Sequence, residues 1–235
     1  MIKNLSNNQE FNNFSSIANE WWVPEGKYKI LHDITPLRIK YIVNIFGSKK
    51  LYKKNILDLG CGGGLTCEPL CRLGGNITGV DFIKKNIEVA KKHAKNSNLK
   101  IEYLHQNLDS LIIKKKYNII LLLEVLEHLQ NWQKIIPKIR TMLKPNGYVI
   151  VSTINRNILS KIFAIYFAEN ILHWIPKNTH QYNKLITPEE LSMTFKNNNF
   201  KVLDISGMVF NPISREWNIN KNFKRINYFC TAKLN

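Results

Sequence analysis

Ten residues, Asn55-Ile-Leu-Asp-Leu-Gly-Cys-Gly-Gly-Gly64, constrain this chain more than any others. Ile56, Leu57 and Leu59 are the apolar run of a short buried strand. Gly60 ends it, and the glycines at 60, 62, 63 and 64 allow a tight turn into a helix from about Leu65. Such a turn is a cradle for a small ligand. A Cβ would hold the ligand off the backbone, and the N–H groups of a helix start favour a carboxylate or phosphate.

A dinucleotide fingerprint laid on Gly60 and Gly62 needs a small residue at 65 for close helix packing and meets Leu65, which weakens a nicotinamide-dinucleotide reading. Twenty-one positions beyond Gly60, a second apolar strand, Asn76 to Val80, delivers Asp81, whose carboxylate can accept bonds from both hydroxyls of a ribose. Asp58 followed by Gly60-x-Gly62-x-Gly64 resembles the nucleoside-binding motif of class I S-adenosylmethionine-dependent methyltransferases. An ordinary strand-to-helix turn is the competing reading, and Asp81 in register weighs against it.

The 235 residues suffice for one α/β domain with a full core. Cys61, Cys67, Cys71 and Cys230 have no C-x-x-C spacing and no signal peptide precedes them, so reduced thiols and a cytoplasmic location are expected. A net charge of +17 invites nucleic acid or anionic lipid as a partner. The lysines are scattered, however, as at Lys84-Lys85, Lys91-Lys92 and Lys114 to Lys116, which favours solvated faces with a general attraction to acidic lipid surfaces.

In chain order, Phe11, Phe14, Ile17, Ala18, Trp21 and Trp22 recur at helical spacing and predict an amphipathic helix from Glu10. The tryptophan pair either docks on the core or walls an acceptor pocket. Thr35 and Pro36 read as N-cap and first residue of a helix to about Phe46. Arg38 then opposes the dipole of its own first turn, which points to an anionic partner such as a cofactor carboxylate. A helix over Ile83–Asn96 and a strand over Leu99–Leu104 follow, with Asn107 just beyond as a candidate contact to an adenine.

Tyr117 to Leu123 is continuously apolar, as a central parallel strand is, and runs into Glu124-Val-Leu-Glu127-His128. A helical turn beginning at Glu124 would put residues 124, 127 and 128 on one face at the ligand-binding end of the sheet. An acidic helix start complementing the dipole is the plainer reading. Later, Ile158 to Ile175 is apolar and aromatic, but Lys161, Glu169 and Asn170 make it a poor membrane span. A lid over an apolar acceptor, with its stripe of Ile158, Leu159, Ile162, Phe163, Tyr166 and Phe167, fits it better. Thr187-Pro-Glu-Glu190 is a capping box opening a helix, and strands over 200–210 and 225–232 close the chain.

Ala18-Asn-Glu-Trp-Trp22, Leu31 to Arg38, Leu57 to Gly64, Glu124 to His128, Ser152 to Asn157 and Pro176 to His180 together resemble the ubiquinone-biosynthesis O-methyltransferases, over nearly the whole chain. The resemblance implies a Rossmann-like fold: a seven-stranded, mostly parallel sheet with helices on both faces, in a single domain 1–235. An N-terminal helical cap would cover 1–50 and a lid or membrane-contact insertion 155–186. It implies S-adenosylmethionine held by residues matching Arg38, Gly60, Asp81 and Leu123, with Gly62 and Asn107 beside them. The acceptors would be polyprenylated phenols or quinols.

The resemblance also implies dependence on a divalent ion and contact with anionic lipid, and so a cytoplasmic enzyme at the inner membrane, open to a complex with other enzymes of the pathway. A free phenol holds its proton near neutral pH, with a pKa of about 10. Either His128 removes that proton, with Glu124 beside it, or a magnesium or zinc ion on Glu124, Glu127 and His128 lowers the barrier. Base-methylating enzymes carry an Asp/Asn-Pro-Pro-aromatic motif after the fourth strand, where this chain has Glu-Val-Leu-Glu-His, so nucleic acid is not the expected acceptor. A silent cofactor-binding protein is the remaining alternative.

Overall fold

The computed structural model describes residues 15–160 and 182–235. Within them, β1 (Asn55–Leu59), β2 (Asn76–Asp81), β3 (Glu102–His105), β4 (Tyr117–Leu123), β5 (Leu143–Ile154), β6 (Phe200–Asn211), β7 (Glu216–Asn220) and β8 (Asn227–Leu234) form one sheet, in the order β3-β2-β1-β4-β5-β8-β6-β7. β1 to β5 pair in parallel; β8, β6 and β7 join antiparallel. β2 and β3 lie on one side of β1 and β4 lies on the other. The carboxyl ends of β1 and β4 therefore flank the switch point where open sheets bind ligands.

Among the described residues the helices of six residues or more are α1 (Lys29–Phe46), α2 (Cys67–Arg72), α3 (Lys84–Asn96), α4 (Ile135–Met142) and α5 (Pro188–Asn197). Alternation along β4 explains why its sequence is apolar throughout. Ile119, Leu121 and Leu123 pack with α1, α2 and α3 on one face, and Ile120 and Leu122 pack with α4 and α5 on the other. Each such fully buried Leu or Ile contributes about 1.5–3 kcal/mol. Ahead of α5, the side chains of Thr187 and Glu190 cap each other's backbone as the motif requires.

Three expectations change. The sheet has an eighth strand: β7 occupies the polar stretch after Asn211-Pro212 and forms a hairpin with β6. Its alternating Glu216-Trp-Asn-Ile-Asn220 is too polar to stand out as a strand, but Trp217 and Ile219 pack on the α1 face. Second, α1 starts at Lys29 and carries Pro36 inside it, with the Thr35 hydroxyl donating to Leu31 O at 2.6 Å rather than capping. Arg38 thus sits mid-helix, and the dipole argument for it lapses. Third, the expected N-terminal helix tightens at its end: Ser15 and Ser16 are α-helical and Ala18–Glu20 form a 3-10 turn, while residues 10–14 lie outside the described residues. Phe11, Phe14 and the lid stripe beyond Ser160 lie outside the described residues.

Candidate active site

The glycine turn leaves β1 with φ of +76° at Gly60, +53° at Gly62 and +91° at Gly64, values that side chains strain to adopt. A Cβ on Gly60 would lie 2.5 Å from Val125, and one on Gly62 2.3 Å from the Trp21 ring. The space these two glycines leave is taken by the chain's own side chains. Gly60 and Cys61 donate to Val80 O at 2.8 and 3.0 Å, Gly62 donates to Asp81 Oδ2 at 3.0 Å, and Gly64 to Cys61 O at 3.0 Å. With these amides engaged, and α2 beginning at Cys67 rather than Leu65, the turn is poorly equipped to hold a phosphate. A nucleoside without one suits it.

Asp81 ends β2 and is 5% exposed. Besides Gly62 N, it accepts from Ile83 N at 2.8 Å and Asn86 Nδ2 at 3.3 Å, both on Oδ1. Burial pushes its pKa up, and these donors pull against the rise. Asn107 is exposed, and its Oδ1 caps the 3-10 turn Leu108–Ser110 by accepting from Asp109 N at 2.9 Å.

Arg38 is 5% exposed, yet its Nε and Nη2 are without a hydrogen-bond partner. Burial lowers its pKa, against the pull of Glu124, Asp58 and Glu127. An orphaned buried guanidinium is costly, and it fits the carboxylate of an amino-acid-bearing nucleoside. Burial raises Asp58 to about 7, while Cys67 Sγ donates to it at 3.3 Å.

At the end of β4, Leu123 is 8% exposed and pairs with Ser152 of β5. Glu124 does not begin a helix: its φ is +57°, and the following 3-10 turn runs Leu126–His128. Residues 124, 127 and 128 therefore do not share a helical face. The end of β5 holds the two carboxyls instead. Ser152 Oγ donates to Glu124 Oε1 at 2.8 Å, and Thr153 Oγ1 donates to Glu127 Oε2 at 2.9 Å. Glu127 is 4% exposed, and burial first, then Glu124, raises it to about 8. His128 is half-buried at the same rim.

Among the described residues no group of three or more His, Cys, Asp or Glu side chains is placed to hold a metal ion. Glu124 and Glu127 each accept from a separate hydroxyl, and with His128 they are not grouped as the ligand set the resemblance implies.

Ser152, Thr153 and Asn86 are supporting residues that residue-by-residue reasoning did not single out. The first two were signalled by hydroxyls at the end of an apolar strand; Asn86 had no signal. Asn155 and Asn157 donate to Lys224 O and Arg225 O, and Arg156 pairs with Glu190, so this stretch braces the end of β5.

A model of a methyltransferase domain matches residues 30–205. The chain is 42% identical over 233 residues to the ubiquinone biosynthesis O-methyltransferase of Pelagibacter ubique, covering 96% of this chain and 97% of that one. It is 40% identical over 225 residues to that of Rickettsia typhi, covering 95% and 91%. Among solved structures, magnesium protoporphyrin IX methyltransferase from Synechocystis with bound S-adenosylmethionine superposes with a TM-score of 0.70 at 15% identity over the whole of both chains, a likeness of fold.

Proposed function

The chain belongs to the ubiquinone biosynthesis O-methyltransferase family, and from that premise we propose that it methylates phenolic hydroxyls of polyprenylated catechol and quinol intermediates, 2-polyprenyl-6-hydroxyphenol and 3-demethylubiquinol. The cofactor is S-adenosylmethionine, whose sulfonium supplies a methyl group for direct displacement. The observation that carries the cofactor half is the buried Arg38 with Nε and Nη2 unpartnered beside Glu124. The acceptor half rests on the relatives.

In this reading Arg38 binds the cofactor's carboxylate, Asp81 its ribose, and Leu123 and Asn107 flank the adenine, over the turn at Gly60 and Gly62. The protein's work is to align the acceptor oxygen with the methyl group and to exclude water. His128 takes the phenol proton as general base, and Glu124, held by Ser152, orients that rim. These steps use the side chains alone. The divalent ion of the resemblance has no formed ligand set and no step is assigned to it.

Two extensions go with this reading. The net charge of +17 supports peripheral contact with anionic lipid, hence a cytoplasmic enzyme at the inner membrane. Among the described residues no helix is long and apolar enough to cross a membrane. An apolar, membrane-held substrate favours membership of an assembly of pathway enzymes.

The test is transfer of labelled methyl from S-adenosylmethionine to a short-chain demethylubiquinol, run beside tRNA and DNA. Label in the quinol alone is the expected result; label in nucleic acid alone, or in none, contradicts the proposal.

A further inference from the structure

Asp81, the carboxylate assigned to the ribose, is itself held from the N-terminal cap. Trp21 Nε1 donates to Asn86 Oδ1 at 2.9 Å, and Asn86 Nδ2 donates to Asp81 Oδ1 at 3.3 Å. All three side chains are buried: Trp21 is 8% exposed, Asn86 3% and Asp81 5%. The direction of this chain is forced by chemistry. An indole can only donate, so Asn86 must turn its oxygen to Trp21 and its amide hydrogens to the carboxylate.

The consequence lies in which lone pairs of Asp81 remain. A carboxylate offers about four acceptor positions. Oδ1 receives Ile83 N and Asn86 Nδ2, and Oδ2 receives Gly62 N. The position left is on Oδ2, the oxygen fixed to the glycine turn. Trp21 is itself fixed: its ring lies against Gly62 and Gly63, where added Cβ atoms would approach it to 2.3 and 2.4 Å, and it stacks on Tyr28 with centroids 3.8 Å apart.

We propose that Trp21 and Asn86 are positioning residues for cofactor selection, clamping Oδ1 of Asp81 so that Oδ2 is presented to a ribose hydroxyl. The proposal rests on the nucleoside reading of the glycine turn. It assigns to the tryptophan at the start of the pair a role neither in the acceptor pocket nor in core packing alone: the cap over residues 15–28 and the ribose site share one hydrogen-bond chain.

The experiment is calorimetric titration of S-adenosylhomocysteine, and of its analogue lacking both ribose hydroxyls, into the wild type, Trp21→Phe, Asn86→Ala and the double variant. Trp21→Phe keeps a ring beside Gly63 while giving up the donor and the part of the indole over Gly62, and the analogue lacking both hydroxyls separates those two losses, so it carries the test even where Asn86→Ala fails to fold.

The expected result is a loss of about five- to tenfold in affinity for S-adenosylhomocysteine in each single variant, the scale of one hydrogen bond of about 1 kcal/mol. The double variant should be no worse than Asn86→Ala, and the dideoxy analogue should bind all four proteins within about twofold. Equal weakening toward both nucleosides would make Trp21 a packing residue and overturn the proposal, as would unchanged affinity in Trp21→Phe. Failure of the wild type to bind S-adenosylhomocysteine would overturn the cofactor reading itself, and this inference with it.

Discussion

Arg38 Nη2 lies 3.9 Å from Oε1 of Glu124, a mid-helix cation facing the residue that follows the central strand. The separation is too long for a hydrogen bond, and Glu124 is already engaged by Ser152. The guanidinium is thus held buried with donors to spare, an arrangement that costs stability without a ligand and favours binding with one.

Arg38→Met should separate the two effects. Replacing a whole buried ion pair by apolar side chains is neutral or stabilising, but removing Arg38 alone leaves Glu124 without its cation, so the ligand-free fold gains no stability from the change. Losing charge-assisted bonds to a carboxylate costs about 1.5–3 kcal/mol, or roughly 10- to 100-fold in affinity. The expected outcome is a ligand-free melting temperature at or below wild type, with cofactor binding weakened by that factor. Differential scanning and binding calorimetry check the two halves; unchanged affinity would remove Arg38 from the site.

The buried acids set a pH dependence. Burial raises Asp58 from 3.8 to about 7, and burial with Glu124 beside it raises Glu127 from 4.5 to about 8. Between about pH 4 and pH 8 the folded chain keeps protons that the unfolded chain has released. Their contribution is therefore complete at low pH, falls as pH rises through that window and levels off above it, on the order of a few kcal/mol in all. Glu127→Gln, which mimics the protonated acid, should lose less stability than wild type between about pH 5 and pH 8 in urea titrations. Parallel losses in the two proteins would contradict an elevated Glu127.

His128→Ala should lower kcat by about 100-fold or more while leaving cofactor affinity within about twofold, the signature of a group acting on the acceptor proton. Chelator should not change the wild-type rate in this account. A rate that collapses in chelator and returns with magnesium would transfer phenol activation to an ion and would require Glu124, Glu127 and His128 to draw together into a ligand set.

Much of the architecture was legible in the residues because local and global signals agree. The apolar run Tyr117–Leu123 is β4 to the residue, and Asp81 stands where its spacing from Gly60 put it. The capping box at Thr187 formed because its two bonds are local. What failed depended on tertiary context. Pro36 after Thr35 has the pattern of a helix start, but the buried face formed by Ile34, Leu37, Tyr41 and Ile42 carries the helix through it. The spacing of Glu124, Glu127 and His128 suits a helical turn, but Glu124 adopts a left-handed conformation with its carboxylate on Ser152 of the neighbouring strand, a partner 28 residues on that no spacing reveals. β7 exists because Trp217 and Ile219 reach the α1 face, which a polar stretch does not announce.

The most direct measurement is the heat of binding of S-adenosylhomocysteine to the purified wild type and to Asp81→Asn, which keeps the side chain's shape and removes the charged acceptor. The account predicts one site per chain in the wild type and at least about tenfold weaker binding in the variant, from the loss of a hydrogen bond to a charged group. No heat with the wild type, or equal affinity in the two proteins, would contradict it.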